Sequence, residues 1–136
     1  MKPPLFPVSI KGVMAIDGRI PLLFNERDEW ELPGGRLEAG EQPEAALVRE
    51  LAEELNVEAR VGRVLDSWLY RIAGKGEVLV VTYACSVLRA EGLRFSHEHK
   101  ALRLVAPAQL DSLNLPLGYR RSIECFLATM SGGDPR

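Results

Sequence analysis

The segment from Pro43 to Leu55 constrains the fold most, because its apolar and acidic residues recur at the spacing of an α-helix. Pro43 is well tolerated in a first helical turn, where its missing N–H would have no helical partner. At 100° per residue, the carboxylates of Glu50, Glu53 and Glu54 share one face about 100° wide. The segment predicts an amphipathic helix with this acidic face and a core face formed by Leu47, Val48, Leu51, Ala52 and Leu55.

The acidic face is unfavourable for the helix on its own. Like charges one turn apart cost a few tenths of a kcal/mol, and the helix dipole disfavours negative charge near the C-terminal end. A hard divalent cation such as Mg²⁺ or Mn²⁺ would offset this repulsion, since these ions prefer carboxylate and carbonyl oxygens. Taken alone, the three glutamates are explained equally well by a solvated acidic face.

The loop before the helix adds to the case for a metal. Gly34 and Gly35 follow Leu32 and Pro33, and such glycines allow a tight turn or a close approach to a ligand. A main-chain carbonyl of either glycine is a candidate metal ligand. Arg49 can orient a catalytic carboxylate or hold Glu41 across the loop; the simpler alternative is a surface ion pair, which contributes little.

Together these residues resemble the Nudix box. The family pattern places a glycine, a glutamate, an Arg-Glu pair and a Glu-Glu pair at fixed spacings, ending in a glycine and an aliphatic residue. This chain matches it with Gly35, Glu41, Arg49, Glu50, Leu51, Glu53, Glu54 and Val57. Asn56 stands where the family has glycine. Because Asn is the best non-glycine residue for a left-handed helix end, we expect this departure to leave catalysis intact.

The resemblance implies a fold, a reaction and a set of roles. The implied fold is the α/β Nudix sandwich, a mixed β-sheet between the box helix and a C-terminal helix. The implied reaction is metal-dependent hydrolysis of a pyrophosphate bond in a nucleoside diphosphate linked to another group. Glu53 and Glu54 would be the main metal ligands, Glu50 a further ligand or the base, and Arg49 and Glu41 would hold the loop and helix in register. The cofactor would be Mg²⁺, with Mn²⁺ as a substitute.

A second polar segment, Ser96-His97-Glu98-His99, precedes the last predicted strand. Many family members supply a distal acid from this region, so Glu98 is a candidate metal ligand or base, with a solvated loop acid as the alternative. A metal-binding pair of His97 and His99 is less favoured than ordinary loop polarity. Either Lys100 or Arg103 could contact a phosphate.

The rest of the chain is dominated by predicted strands. These cover residues 6–16, a return over Ile20–Phe24 after an Asp17-Gly18 hairpin turn, residues 30–32, 61–70 and 77–88, and Ala101–Val105. The run 77–88 is apolar on both faces, which places it centrally in the sheet. A helical turn is expected at 107–110. An amphipathic C-terminal helix is marked by Tyr119, Ile123, Phe126, Leu127 and Met130.

Length and composition limit the classes of protein. The 136 residues suit a single domain spanning 1–136, and the formal net charge of −2 argues against binding of a nucleic acid polymer. Cys85 and Cys125 lie in apolar stretches, so both are expected to be buried, unpaired thiols. The N-terminus has no apolar signal core and no run approaches the ~20 residues of a membrane span, which favours a cytoplasmic location.

The substrate is left open by the sequence. The region past the box lacks the proline typical of the ADP-ribose branch, Tyr70 lies early for the dinucleoside-polyphosphate branch, and no coenzyme A motif precedes the box. A nucleoside triphosphate is therefore compatible. Trp30 and Tyr70 are the candidate base-stacking residues, although core packing is the simpler role for them and for Phe24 and Trp68. A catalytically inactive nucleotide-binding module is the alternative function, and the resemblance also allows a homodimer.

Overall fold

The computed structural model of the chain describes residues 2–130. It contains α1 over Pro43–Leu55 and α2 over Leu117–Ala128, with a 3₁₀ helix at Pro107–Ser112 before α2. The strands are β1 Val8–Val13, β2 Ile20–Phe24, β3 Trp30–Glu31, β4 Gly34–Arg36, β5 Glu58–Ile72, β6 Gly76–Arg89 and β7 Ala101–Val105. The predicted helices and the last strand are confirmed, and β5 is longer at both ends than the predicted 61–70.

The strands form two sheets. The four-stranded sheet has the order β4-β1-β6-β5; β1 and β6 are parallel and the other neighbours antiparallel, so this sheet is mixed. The three-stranded sheet has the order β3-β2-β7 and is antiparallel. Strand β6 lies inside the larger sheet, as its doubly apolar sequence predicted.

Two apolar clusters show how the helices pack. Leu47, Leu51 and Leu55 of α1 pack in a cluster that contains Ile10 of β1. The α2 side chains pack in the other cluster, which contains Val13 of the same strand. Because side chains alternate across a strand, the two helices lie against opposite faces of the mixed sheet. The expected α/β sandwich with helices on both sides is confirmed.

The predicted β-hairpin is wrong, although its turn forms. Asp17 and Gly18 both have positive φ, and Ile16 pairs with Arg19 across them. However, β4 and β6 occupy the two edges of β1, so β2 pairs with β3 and β7 in the other sheet instead. Gly34 and Gly35, for which the sequence allowed either a tight turn or a close approach, lie in β4, with Gly35 opposite Ile10 of β1.

The buried face of α1 is rotated from the predicted one. Val48 and Ala52, assigned to the core, are exposed, whereas Ala46 and Glu54 are buried. The helix packs against β1, β4 and β5, and β4 covers the side on which Glu54 lies. This rotation turns part of the acidic face into the protein, and the helix therefore delivers a carboxylate to the interior.

Asn56 ends α1 in the left-handed conformation expected for it, with φ 56° and ψ 39°. Its backbone N–H donates to the carbonyl of Ala52, and its side-chain amide donates to the carbonyl of Gly92 at 3.1 Å. The family glycine is thus replaced by a residue that accepts the same backbone conformation and adds a contact to the segment after β6.

We expect Asn56→Gly to change the free energy of unfolding by less than about 0.5 kcal/mol, because glycine adopts this conformation freely. Both variants lose the exposed amide contact, but Asn56→Ala should be about 1 kcal/mol less stable than Asn56→Gly, since only alanine is strained there. Urea denaturation of both variants measures the difference. Equal stability of the two would contradict the assigned conformation.

The cysteine prediction is half correct. Cys85 is buried and burial raises the pKa of its thiol to about 12, whereas Cys125 is exposed on α2. The apolar neighbours of Cys125 in sequence lie on a different side of the helix from the thiol, which explains the error. Within residues 2–130, no helix has the length and apolar character needed to span a membrane.

Candidate active site

The acidic residues of α1 differ in how deeply they are placed. Glu54 is 6% exposed, Glu50 is half-buried, and the side chain of Glu53 is 61% exposed. The buried leucines of α1 fix the helix against the mixed sheet, which sets this order. The burial of Glu50 raises the pKa of its carboxyl group; Arg49 opposes this, and the nearby Glu54 and Glu53 add to it. The three acids thus occupy distinct environments suited to different roles.

The two glycines of β4 allow the strand to approach the acids. The N–H of Gly34 donates a hydrogen bond to Oε1 of Glu54 at 3.1 Å. A Cβ at Gly35 would collide with the carboxyl group of Glu50. A Cβ at Gly34, which has φ 145°, would collide with the backbone of Ile10 in β1. The backbone of β1 therefore requires glycine at position 34, whereas a side chain at position 35 would displace the carboxyl group of Glu50.

Arg49 joins the loop before α1 to the acidic face. Its guanidinium donates to both oxygens of Glu41, with Nε–Oε2 2.9 Å and Nη2–Oε1 3.2 Å. Its Nη1 lies 3.3 Å from Glu50 Oε2 and 3.1 Å from Glu53 Oε1. An isolated surface pair contributes little, but a bidentate pair with two further partners fixes geometry. Both alternatives offered by the sequence, holding Glu41 and orienting a carboxylate, are present.

A polar pocket of about 220 Å³ lies over the acidic face. Its lining includes Glu50, Glu53 and Glu54 from α1, and Ser96 and Glu98 from the segment before β7. The topology thus brings the distal acid Glu98 to the three box acids. His97 does not line the pocket.

The pocket suits a hard divalent cation by its donor chemistry, which is a set of carboxylates with a partly buried member. Among residues 2–130, no three acidic, histidine or cysteine side chains already converge on one metal position. Arg49 bridges two of the acids and His99 lies against a third, and these cations neutralise the acids in the described arrangement.

A buried ionic cluster lies behind Glu54, and sequence reasoning missed it. The ring of His99 lies between two carboxylates: Nε2 is 2.7 Å from Glu31 Oε2, and Nδ1 is 3.1 Å from Glu54 Oε2. The second contact has ion-pair distance without hydrogen-bond geometry. Lys11 Nζ lies 3.7 Å from Glu31, whose other oxygen accepts from Asn25 at 2.8 Å. A signal was available, since Lys11 and Glu31 are lone charges within apolar strands.

The cluster shifts the pKa of two members in opposite directions. Burial alone would raise the pKa of Glu31, but Lys11 and the hydrogen bonds from His99 and Asn25 lower it to about 2. Burial alone would lower the pKa of His99, but the hydrogen bond to Glu31 and the adjacent Glu54 raise it to about 9. Both groups are therefore charged at neutral pH in the metal-free protein.

A cavity of about 190 Å³ lies on the other side of this cluster. Three cationic side chains line it: Lys11 of β1, Arg27 of the loop between β2 and β3, and Arg36 of β4. The carboxylate of Glu31 also lines it. Aromatic walls are provided by Tyr70 and Tyr119, and Gly35 forms part of the lining. The cavity and the acidic pocket therefore meet where Gly35 contacts Glu50.

The predicted aromatic and basic contacts fall into two groups. Tyr70 lines the cavity, where Arg27 lies over its ring and its hydroxyl bonds to Glu29. Trp30 instead packs on Phe24, with ring centroids 4.8 Å apart, and does not line the cavity. Lys100 bonds to Asp28 at 2.6 Å, and neither Lys100 nor Arg103 lines the cavity or the acidic pocket.

The His99 ion pairs should make the stability of the metal-free protein depend on pH. A raised pKa adds stability that is complete below the unfolded value of 6.5 and is lost as the pH rises through about 9. We therefore expect the free energy of unfolding in EDTA to fall between pH 6.5 and pH 9. In His99→Gln, the decrease over the same pH range should be smaller. Urea titrations at several pH values measure both, and an identical slope in the variant would contradict the assignment.

Comparison with known proteins shows the family of the chain. The protein-family model described as the NUDIX domain matches residues 11–126 of this chain. The CTP pyrophosphohydrolase of Escherichia coli (strain K12) is 33% identical over 113 residues, which cover 79% of this chain and 80% of that protein. The 8-oxo-dGTP diphosphatase of Proteus vulgaris is 50% identical over 47 residues, covering 35% of this chain and 42% of that protein.

Solved structures match along almost the whole chain. The solution structure of the E. coli ORF135 protein superposes with a TM-score of 0.74 at 28% sequence identity. The match covers 98% of this chain and 100% of that one. The two sheets and two helices described above are therefore an arrangement already seen in a solved protein.

Proposed function

The chain belongs to the Nudix family, and on this basis we propose that it hydrolyses nucleoside triphosphates in a reaction that depends on Mg²⁺ or Mn²⁺. Its general activity is that of a Nudix-type pyrophosphohydrolase, as its relatives indicate. The proposal adds the metal, the substrate and the residues that act on them.

One observation carries the proposal: the pocket of acids and the cavity lined by cations meet at Gly35 and Glu50. A nucleoside triphosphate needs both environments at once. Its phosphates need cations to neutralise them, and its nucleoside needs a walled cavity outside the reacting centre. The junction of the two sites is where a pyrophosphate bond would lie.

The metal would be held by Glu53 and Glu54, with Glu98 and a main-chain carbonyl of Gly34 or Gly35 as further ligands. When bound, it would neutralise charge on the phosphates and lower the pKa of a water molecule. Glu50 is half-buried with a raised pKa, which suits a carboxylate that accepts the proton of the attacking water. A role for Glu50 as an additional ligand is compatible with the same position.

Arg49 and Glu41 support this site without contacting substrate in our proposal. Their bidentate pair ties the loop that follows β4 to the acidic face of α1. Substitution of such supporting partners typically lowers metal affinity or activity by 10- to 100-fold. Arg49 therefore acts by holding Glu50 and Glu53 in position.

The cavity supports a nucleoside triphosphate over larger conjugates. Its volume of about 190 Å³ is small, and Lys11, Arg27 and Arg36 provide three positive charges close to the acidic pocket. Tyr70, which is partly exposed, offers a ring against which a base can pack. The alignment with the relative named CTP pyrophosphohydrolase covers 80% of that protein, so CTP is the first substrate to test. Trp30 lies outside this cavity, so it has no role in the proposal.

The experiment is a substrate panel with Mg²⁺ and, separately, Mn²⁺. It comprises CTP, other canonical and oxidised triphosphates, ADP-ribose, sugar nucleotides and dinucleoside polyphosphates, with products separated by chromatography. Metal-dependent release of a nucleoside monophosphate and pyrophosphate from a triphosphate supports the proposal. Tight binding of a nucleotide without turnover in either metal would overturn it in favour of a binding module.

A further inference from the structure

We propose that His99 is a positioning residue for Glu54, held by Glu31 on its far side. This inference rests on the proposed function, since it assumes that Glu54 is a metal ligand. It concerns a residue outside the Nudix box, on the segment between β6 and β7.

The first support is the location of the imidazole. Glu31 lines the cavity and Glu54 lines the acidic pocket, whereas His99 lines neither. Its ring fills the wall between them, with one nitrogen 2.7 Å from Glu31 and the other 3.1 Å from Glu54. The side chain is 10% exposed. His99 is therefore placed to act on the metal site through Glu54 and not by contact with substrate.

The second support is how completely Glu54 is held. Gly34 donates its N–H to Oε1 of Glu54, and His99 faces Oε2 of the same carboxylate. The rotation of this carboxylate is thus limited from both sides. Metal affinity depends on such restraint, because a ligand that is already oriented loses less conformational freedom when the ion binds.

The third support is that the backbone fixes the histidine independently. The N–H of His99 donates to the carbonyl of Ser96 at 3.2 Å, and the N–H of Lys100 donates to the carbonyl of Phe24 at 2.9 Å. The first bond closes a turn within the segment, and the second attaches the segment to the end of β2. The imidazole therefore has a rigid base, which a positioning residue needs.

The fourth support is energetic. Three buried charged residues, Lys11, Glu31 and Glu54, form a set of two cations and two anions with the largely buried ring of His99. Buried ion pairs are often no more stabilising than apolar side chains of similar volume, since removing charges from water is costly. Stability alone is therefore a weak reason for this cluster, and a role in orienting Glu54 gives a better one.

The test uses two isosteric substitutions of His99. Glutamine can place an amide nitrogen near the position of Nε2 and keep the contact with Glu31, while asparagine places one near Nδ1 and keeps the contact with Glu54. Mn²⁺ binding to each protein without nucleotide is measured by the electron paramagnetic resonance signal of the free ion. We expect affinity to fall by about 10- to 100-fold in His99→Gln and by less in His99→Asn.

Two further readouts separate positioning from a structural role. Saturating Mn²⁺ should restore most of kcat in His99→Gln, because only the occupancy of the metal site is impaired. In a Glu54→Gln background, His99→Gln should cause no additional loss of Mn²⁺ affinity. If His99→Gln lowered Mn²⁺ affinity as much in that background as in the wild-type protein, His99 would not act through Glu54. That result would overturn the inference.

The outcomes also distinguish the inference from the proposed function. If the wild-type protein binds Mn²⁺ with an affinity that Glu54→Gln weakens, and His99→Gln binds as tightly as wild type, the inference alone fails. If the wild-type protein binds no Mn²⁺ and shows no metal-dependent turnover, the proposed function fails and the inference with it.

Discussion

Replacing Glu54 by glutamine is expected to lower kcat by at least about 100-fold, with the protein still folded. A bound metal ion would contribute several kcal/mol of charge stabilisation in the transition state, and a neutral amide would hold the ion much less well than the carboxylate does. The fold should survive, because the amide oxygen can still accept the hydrogen bond that Gly34 donates to Oε1. Initial rates with CTP at saturating Mg²⁺ measure the effect.

Glu44→Gln is the matched control for this change. Glu44 lies in the first turn of the same helix, is exposed, and does not line the acidic pocket. It should retain the wild-type rate within about 2-fold, the range expected for a surface change away from the site. A Glu54→Gln protein that turns over at the wild-type rate would remove Glu54 from the metal site.

Replacing Gly34 by alanine is expected to destabilise the protein by more than about 3 kcal/mol. The added Cβ would collide with the carbonyl oxygen of Ile10 and with Cα of Lys11, both in the backbone of β1. Strand β1 lies inside the sheet between β4 and β6, so its backbone cannot move aside as a flexible side chain can. The midpoint of thermal unfolding should fall by roughly 10 °C for a chain of this size.

Gly40→Ala separates the collision from the backbone conformation. Gly40 also has positive φ, at 84°, but a Cβ there would meet no atom within 4 Å. Its cost should be limited to the left-handed conformation, about 1–2 kcal/mol. If both alanine variants lost the same stability, the close packing of β4 on β1 would be contradicted.

The sequence predicted the elements whose evidence is local. The α1 helix shows its period within 13 residues, and its limits coincide with a proline and with an asparagine that tolerates the left-handed end. The central place of β6 followed from a run that is apolar on both faces. The box resemblance supplied the fold, because it joins this helix to a glycine strand at fixed spacing.

Contacts between distant segments could not be predicted in this way. Glu31 and His99 are 68 positions apart. Glu31 lies in β3 and His99 just before β7, and they meet because both strands pair with β2. The Asp17-Gly18 turn indicated a hairpin because the sequence does not show that β4 and β6 occupy both edges of β1. Periodicity also could not place the buried side of α1, which depends on what β4 covers.

The candidate site shows the same division. The acids Glu50, Glu53 and Glu54 were identified from spacing, and the topology brings Glu98 to the pocket that they line. The cations of the cavity were not identified, because Lys11, Arg27 and Arg36 come from separate segments. Their common position results from the fold of the β1 to β4 region and not from any motif.

The most direct test is to follow CTP with the wild-type protein and Mg²⁺ by ³¹P nuclear magnetic resonance. The proposed mechanism predicts CMP and pyrophosphate as the products, with turnover stopped by EDTA. Formation of CDP and orthophosphate, or hydrolysis at an unchanged rate in EDTA, would contradict a metal-dependent pyrophosphohydrolase acting at the acidic pocket.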